Sequence, residues 1–135
     1  MKKSLIQRLR TLAGLSLALS ATLLASQSFA AGTISVDELA TQVKAGKAPI
    51  IIDVRSEDEF LAGHLPNARL IPHTQIGDYV EGLSAQKDET IVLYCQSGTR
   101  ADTAAGVLEK AGFKKVTILD GNYKAWTAAG NRVVK

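Results

Sequence analysis

The chain has 135 residues, sixteen Lys and Arg against thirteen Asp and Glu, a net charge of +3 and one cysteine. Four of the sixteen basic residues and none of the acidic ones lie in residues 1–30, so the remainder carries twelve basic against thirteen acidic side chains. A remainder of net charge −1 argues against nucleic-acid binding, its length argues against two domains, and a lone cysteine cannot staple its own fold.

The first elements in chain order form a targeting segment. Met1-Lys2-Lys3, Arg8 and Arg10 precede an uncharged, Leu- and Ala-rich stretch from Thr11 to Ala25, and Ser28-Phe29-Ala30 places small residues at −3 and −1 of a cut after Ala30. This pattern predicts a cleaved signal peptide over residues 1–30. The uncharged stretch is shorter than the roughly 20 residues needed to span a bilayer, which speaks against an uncleaved anchor. With no cysteine near the cut and no twin-arginine pair, the expected route is general export in a bacterial style, and the expected destination the periplasm. Residues 31–34 read as a short disordered leader, and residues 35–135 as a single domain.

Within that domain, Ser35 with Glu38 has the form of a capping box opening an amphipathic helix that stops at Gly46. Pro49 to Val54 is a β-branched apolar run of the kind buried on both faces of a sheet. Ser56 and Glu59 repeat the capping pattern before a brief helix ending near Gly63. Ala68 to Ile71 is a short strand closed by Pro72, and Thr74 to Leu83 is a helical stretch interrupted by Gly77 and Gly82. Thr90 to Tyr94 is the clearest strand. Residues 101–111 are helical up to Gly112, Lys115 to Leu119 is a strand, Tyr123 to Ala129 a helix, and Arg132 to Val134 a last short strand. Strands alternating with helices predict an α/β fold with a parallel sheet covered on both faces.

Cys95 follows the best strand, and the next helix begins within about five residues. Ligands collect at the carboxyl ends of parallel strands, where loop N–H groups and a helix start favour an anion. Gly98 permits φ > 0 in that loop, and Arg100 adds a permanent cation. Helix N-termini and nearby cations favour the thiolate, the nucleophilic form of cysteine. Position alone would equally suit a buried, inert cysteine; the Gly-containing loop, the Arg and the helix start together favour a working thiol.

Cys95-Gln96-Ser97-Gly98-Thr99-Arg100 resembles the Cys-x-x-Gly-x-Arg active-site loop of small bacterial rhodaneses. Ile52-Asp53-Val54-Arg55, Glu59-Phe60 and Gly63-His64-Leu65-Pro66-Asn67-Ala68 look like that family's first signature. Gly112-Phe113, Val116 to Leu119, Gly121 and Trp126 resemble its closing one. The resemblance spans residues 35 to 134 and implies a rhodanese-like fold, a small central parallel sheet with helices on both faces. The family usually has Gly-Ala where Asn67-Ala68 stands, and two glycines where Gly121-Asn122 stands. Both departures fall at turn positions, and Asn tolerates left-handed backbone angles.

The resemblance implies a thiosulfate sulfurtransferase. Cys95 would be the catalytic nucleophile and carry sulfur as a persulfide, while Arg100 and the backbone of Gln96, Ser97, Gly98 and Thr99 would bind the anionic donor. A thiol, cyanide or protein would accept the sulfur. No cofactor and no metal are expected, and nothing demands more than a monomer. His64 is expected to fix a loop rather than act in catalysis. Asp53 and Arg55 are expected to form an internal ion pair or loop hydrogen bonds, and Trp126 to pack in the core. A phosphatase or arsenate reductase of the related fold would use a Cys-x5-Arg loop, one residue longer than the loop here. A non-catalytic or redox-sensing binding domain would have no need of Cys, Gly and Arg together.

Overall fold

The apolar runs that read as buried strands lie side by side at the centre of one sheet. The computed structural model describes residues 31–135, so the predicted signal peptide lies outside the described residues. Five strands, β1 (Gly32–Ile34), β2 (Ile50–Asp53), β3 (Arg69–Leu70), β4 (Thr90–Tyr94) and β5 (Lys115–Leu119), stand in the order β1-β5-β4-β2-β3. Every neighbouring pair is parallel, with Ile52 opposite Leu93 and Asp53 opposite Tyr94.

Five helices cover this sheet: α1 (Val36–Lys44), α2 (Glu57–Ala62), α3 (Ile76–Tyr79), α4 (Thr99–Lys110) and α5 (Asn122–Ala128), with a 3-10 turn at Ser84–Gln86. Alternation along the strands divides the core between two faces. Ile52, Ile91, Leu93 and Cys95 pack with Ile76 of α3 and with Ala101, Ala104, Ala105 and Leu108 of α4. Ile51, Val92 and Tyr94 pack with Leu39 of α1 and Trp126 of α5. The small residues of α4 let that helix lie close against the strand that presents Cys95. Trp126 is buried, as expected, and its indole N–H donates to the Arg132 carbonyl at 2.9 Å.

Four expectations differ in detail. Residues 32–34, read as leader, form the edge strand β1. A three-residue strand leaves no periodicity to detect, and its identity comes from pairing with β5 and from burial of Ile34. The stretch Thr74 to Leu83 keeps only the four helical residues of α3, because Gly77 and Gly82 add backbone entropy that a short helix does not offset. Residues 132–134 contribute one antiparallel bridge, His64 with Val134, rather than a strand. At α1 only half of the capping box forms: Ser35 accepts from the Glu38 N–H, while the Glu38 carboxylate accepts instead from the Gln42 side chain.

From β2 the chain moves outward to β3, and from β4 outward in the opposite direction to β5. The carboxyl ends of β2 and β4 therefore mark the place where strand order reverses, the usual position of a ligand crevice in such sheets.

Candidate active site

Cys95 stands directly after β4 and is 1% exposed. The chain turns through Gln96, Ser97 and Gly98 into α4, and Gly98 adopts φ 133, a conformation that side-chain-bearing residues rarely enter. That turn points the Gly98 N–H at the Cys95 Sγ, 3.0 Å away. Gly98 is also the N-cap of α4, and no side chain occupies the cap. The positive end of a twelve-residue helix is therefore left for whatever the loop holds. Gln96, Ser97 and Thr99 are exposed at the mouth, while Gly98 and Arg100 are half-buried.

The start of α5 supports the loop from behind. The Cys95 N–H donates to the Asn122 Oδ1 at 3.0 Å. The Tyr123 N–H donates to the Cys95 carbonyl at 3.0 Å and the Lys124 N–H to the Gln96 carbonyl at 3.3 Å.

Arg100 makes a two-pronged pair with Glu59 of α2, Nη1 to Oε2 at 2.7 Å and Nη2 to Oε1 at 2.9 Å. Glu59 is oriented for this by the capping box of α2. Its Oε2 accepts from the Ser56 N–H at 3.0 Å and the Ser56 hydroxyl at 2.9 Å, and the Ser56 hydroxyl oxygen accepts from the Glu59 N–H. The bond to Arg100, above all, holds the Glu59 carboxyl down at about 2 against burial. Arg100 is in turn held above its ordinary value, first by Glu59 and also by its proximity to Cys95. Its charge thus reaches the thiol side of the loop while being shared with a carboxylate.

Asp53 and Arg55, expected as an internal pair, form one beneath the site. Both are almost fully buried, and the Arg55 Nη2 donates to the Asp53 Oδ2 and to the Gly63 carbonyl, each at 2.7 Å. The Tyr94 hydroxyl donates to the Asp53 Oδ2 at 2.6 Å and accepts from the Leu65 N–H at 3.1 Å. Burial opposes the charge on Arg55, but Asp53 outweighs it and holds the guanidinium above its ordinary value. Burial and Asp53 both push the Tyr94 hydroxyl up, so it stays protonated. The Arg55 guanidinium lies 4.0 Å from the centre of the Tyr123 ring. His64 stacks on Phe60 with ring centres 3.7 Å apart, and its Nδ1 lies 2.9 Å from the Phe60 carbonyl. That contact fixes the residue after Gly63 to the last turn of α2. Among the described residues no cluster of three or more His, Cys, Asp or Glu could hold a metal.

Sequence reasoning missed three contributors. Glu59 was legible as a helix cap and as part of the first signature, Tyr94 as a strand residue and Asn122 as a turn. Their site partners lie 41, 41 and 27 residues away in the chain. The one available signal was a polar residue in an otherwise apolar or glycine-favouring place: the hydroxyl of Tyr94 ending a buried strand, and the side chain of Asn122 beside Gly121.

A buried cysteine met by a loop amide and a helix start, beside an arginine at the strand-order reversal, is an arrangement suited to a thiolate and to an anionic ligand. Residues 35–129 match the family model of the rhodanese-like domain, and the chain belongs to that family. It is 37% identical over 103 residues to the "probable adenylyltransferase/sulfurtransferase MoeZ" of Mycobacterium tuberculosis (strain CDC 1551 / Oshkosh), which covers 76% of this chain and 26% of that protein. The chain thus spans about a quarter of the length of that relative. It is 29% identical over 91 residues to the thiosulfate sulfurtransferase GlpE of Pseudomonas putida (strain GB-1), covering 67% of this chain and 81% of that one. The human single domain sulfurtransferase TSTD1 superposes with a TM-score of 0.64 at 25% identity, covering 73% of this chain and 97% of the other.

Proposed function

We propose that this chain is a sulfurtransferase that moves sulfane sulfur from thiosulfate to a thiophilic acceptor through a persulfide on Cys95. The observation that carries the reading is the Gly98 N–H directed at the Cys95 Sγ, at the start of α4 and beside Arg100. In the first half-reaction the Cys95 thiolate attacks the outer sulfur of thiosulfate. An S–S bond forms to Cys95, the bond between the two thiosulfate sulfurs breaks, and sulfite leaves with the bonding pair. In the second, a thiol or cyanide takes the outer sulfur and the thiolate returns. No general base is required once the thiol is ionised.

Each part of the loop has a task in that cycle. The amides of Gln96 to Arg100 and the α4 N-terminus stabilise the persulfide anion, as preorganised donors do. Arg100 draws the anionic donor towards the sulfur. The Cys-x4-Arg spacing, one residue shorter than a phosphatase or arsenate reductase loop, favours a sulfur over a tetrahedral oxyanion as the group held. The relatives named above as thiosulfate sulfurtransferase and single domain sulfurtransferase support the same reading.

We further propose that residues 1–30 direct the chain out of the cytoplasm to the periplasm and are removed after Ala30, on the pattern of their charged, apolar and small residues.

Intact mass before and after incubation with thiosulfate tests both proposals. A starting mass beginning at Ala31, with a gain of one sulfur that cyanide removes and that Cys95→Ala lacks, is the expected result. No gain by folded, reduced protein would sink the sulfur-transfer reading and favour an oxyanion substrate or a binding role.

A further inference from the structure

The Cys95 loop has two ends, the peptide entering Cys95 and the turn at Gly98 whose amide reaches the sulfur; the Asn122 side chain bonds the first and lies beside the second. The Asn122 Oδ1 accepts the Cys95 N–H at 3.0 Å. A Cβ placed on Gly98 would stand 3.4 Å from the Asn122 Nδ2, so the same carboxamide lies on the side of Gly98 where a side chain would stand. The remaining bonds from α5 to the loop, Tyr123 N–H to the Cys95 carbonyl and Lys124 N–H to the Gln96 carbonyl, are made by backbone. Any residue at 123 or 124 except proline could supply them. The bond to the Cys95 N–H needs a side-chain acceptor at 122.

Asn122 also occupies an unusual conformation for a residue with a side chain. It is 4% exposed and stands at φ 56; among the described residues Asn67 is the other non-glycine at positive φ. Glycine would enter that backbone region at less cost. A side chain kept in a left-handed, buried position where glycine fits more easily is explained by the bond it makes.

We propose that Asn122 is a positioning residue, which fixes the peptide of Cys95 and the approach of Gly98 so that the sulfur and the amide that meets it stay in register. The proposal rests on Cys95 being the working thiol. Asn122 does not touch the sulfur; it acts through Cys95 and Gly98.

The test compares Asn122→Gly and Asn122→Asp with the wild-type protein in two reactions of Cys95. One is alkylation by iodoacetamide, in which the sulfur attacks carbon and iodide leaves, followed to its plateau at alkaline pH. The other is persulfide formation from thiosulfate. Asn122→Gly removes the acceptor but relieves the left-handed backbone, so its thermal midpoint should stay close to that of the wild type. Both of its rates should fall about tenfold or more, since misplacing a reacting group by about 1 Å can cost about a hundredfold. Asn122→Asp keeps the Oδ1 and should hold the wild-type alkylation plateau, its added charge altering only the pH at which the plateau is reached. Wild-type rates in folded Asn122→Gly, or equal losses of plateau in both variants, would overturn the proposal. If the wild-type protein takes no sulfur from thiosulfate, the sulfurtransferase reading fails, while the alkylation plateaus still decide the role of Asn122.

Discussion

Arg100 serves two partners, and its substitutions separate them. Its guanidinium is engaged by Glu59 at both terminal nitrogens, so an anionic donor must share a cation that already has a counter-charge. Arg100→Ala should weaken apparent affinity for thiosulfate about tenfold, as loss of a charge-assisted contact does, with stability falling by less than about 1 kcal/mol because the pair is about one-third exposed and screened. Steady-state kinetics with thiosulfate and a urea titration check the two halves; unchanged affinity would remove Arg100 from donor binding. Glu59 carries a pH signature of its own. Its carboxyl falls from 4.5 to about 2 on folding, so its contribution to stability is full above about pH 4.5 and is lost as pH drops through about 2. Glu59→Gln should therefore flatten the acid limb of the stability profile in that window, measured as the thermal midpoint against pH. An acid limb as steep as that of the wild type would show that the carboxylate is not held by Arg100 in solution.

At the scale of the element, α2 buries none of its residues completely and owes its place to its first turn. Ser56→Ala removes the cap and also one of the groups that aim the Glu59 Oε2 at Arg100. It should cost about 1 kcal/mol, read as a lower urea midpoint at unchanged slope; a loss within about 0.5 kcal/mol would place the hold on α2 elsewhere. This helix was legible in the sequence because a capping box is local, its two ends three positions apart. The strands at 50–53 and 90–94 were legible because burial on both faces demands a near-continuous apolar run rich in Ile and Val. The Cys95 loop was legible because its parts are contiguous. Strand β1 and the trimmed α3 were not legible, since elements of three or four residues are decided by what they pack on. Glu59 and Asn122 escaped for a related reason. Each satisfies a local rule, a cap and a turn, and its second use exists only once α2 and α5 have been brought to the end of β4.

At the scale of the whole molecule, the Asp53–Arg55–Tyr94 cluster joins parts that the sheet alone does not. Through it β2 is tied to the Gly63 carbonyl after α2, to the Leu65 N–H, to the last residue of β4 and, by the Tyr123 ring, to α5. A buried ion pair is weak evidence for net stability, yet removing one partner leaves a buried charge alone and typically costs about 3–5 kcal/mol. Against a total of about 5–15 kcal/mol for a domain, Arg55→Met should take a large share of the fold. Tyr94→Phe strands the Leu65 N–H and takes one bond from Asp53, and should cost about 1–3 kcal/mol. Because both substitutions act on Asp53, their effects should not add. The double variant should lose less than the sum by at least about 0.5 kcal/mol, measured by urea unfolding of the four proteins in a cycle. Strict additivity would mean that Tyr94 and Arg55 hold separate parts of the molecule, and that no single cluster fixes the α2 and α5 ends around the Cys95 loop.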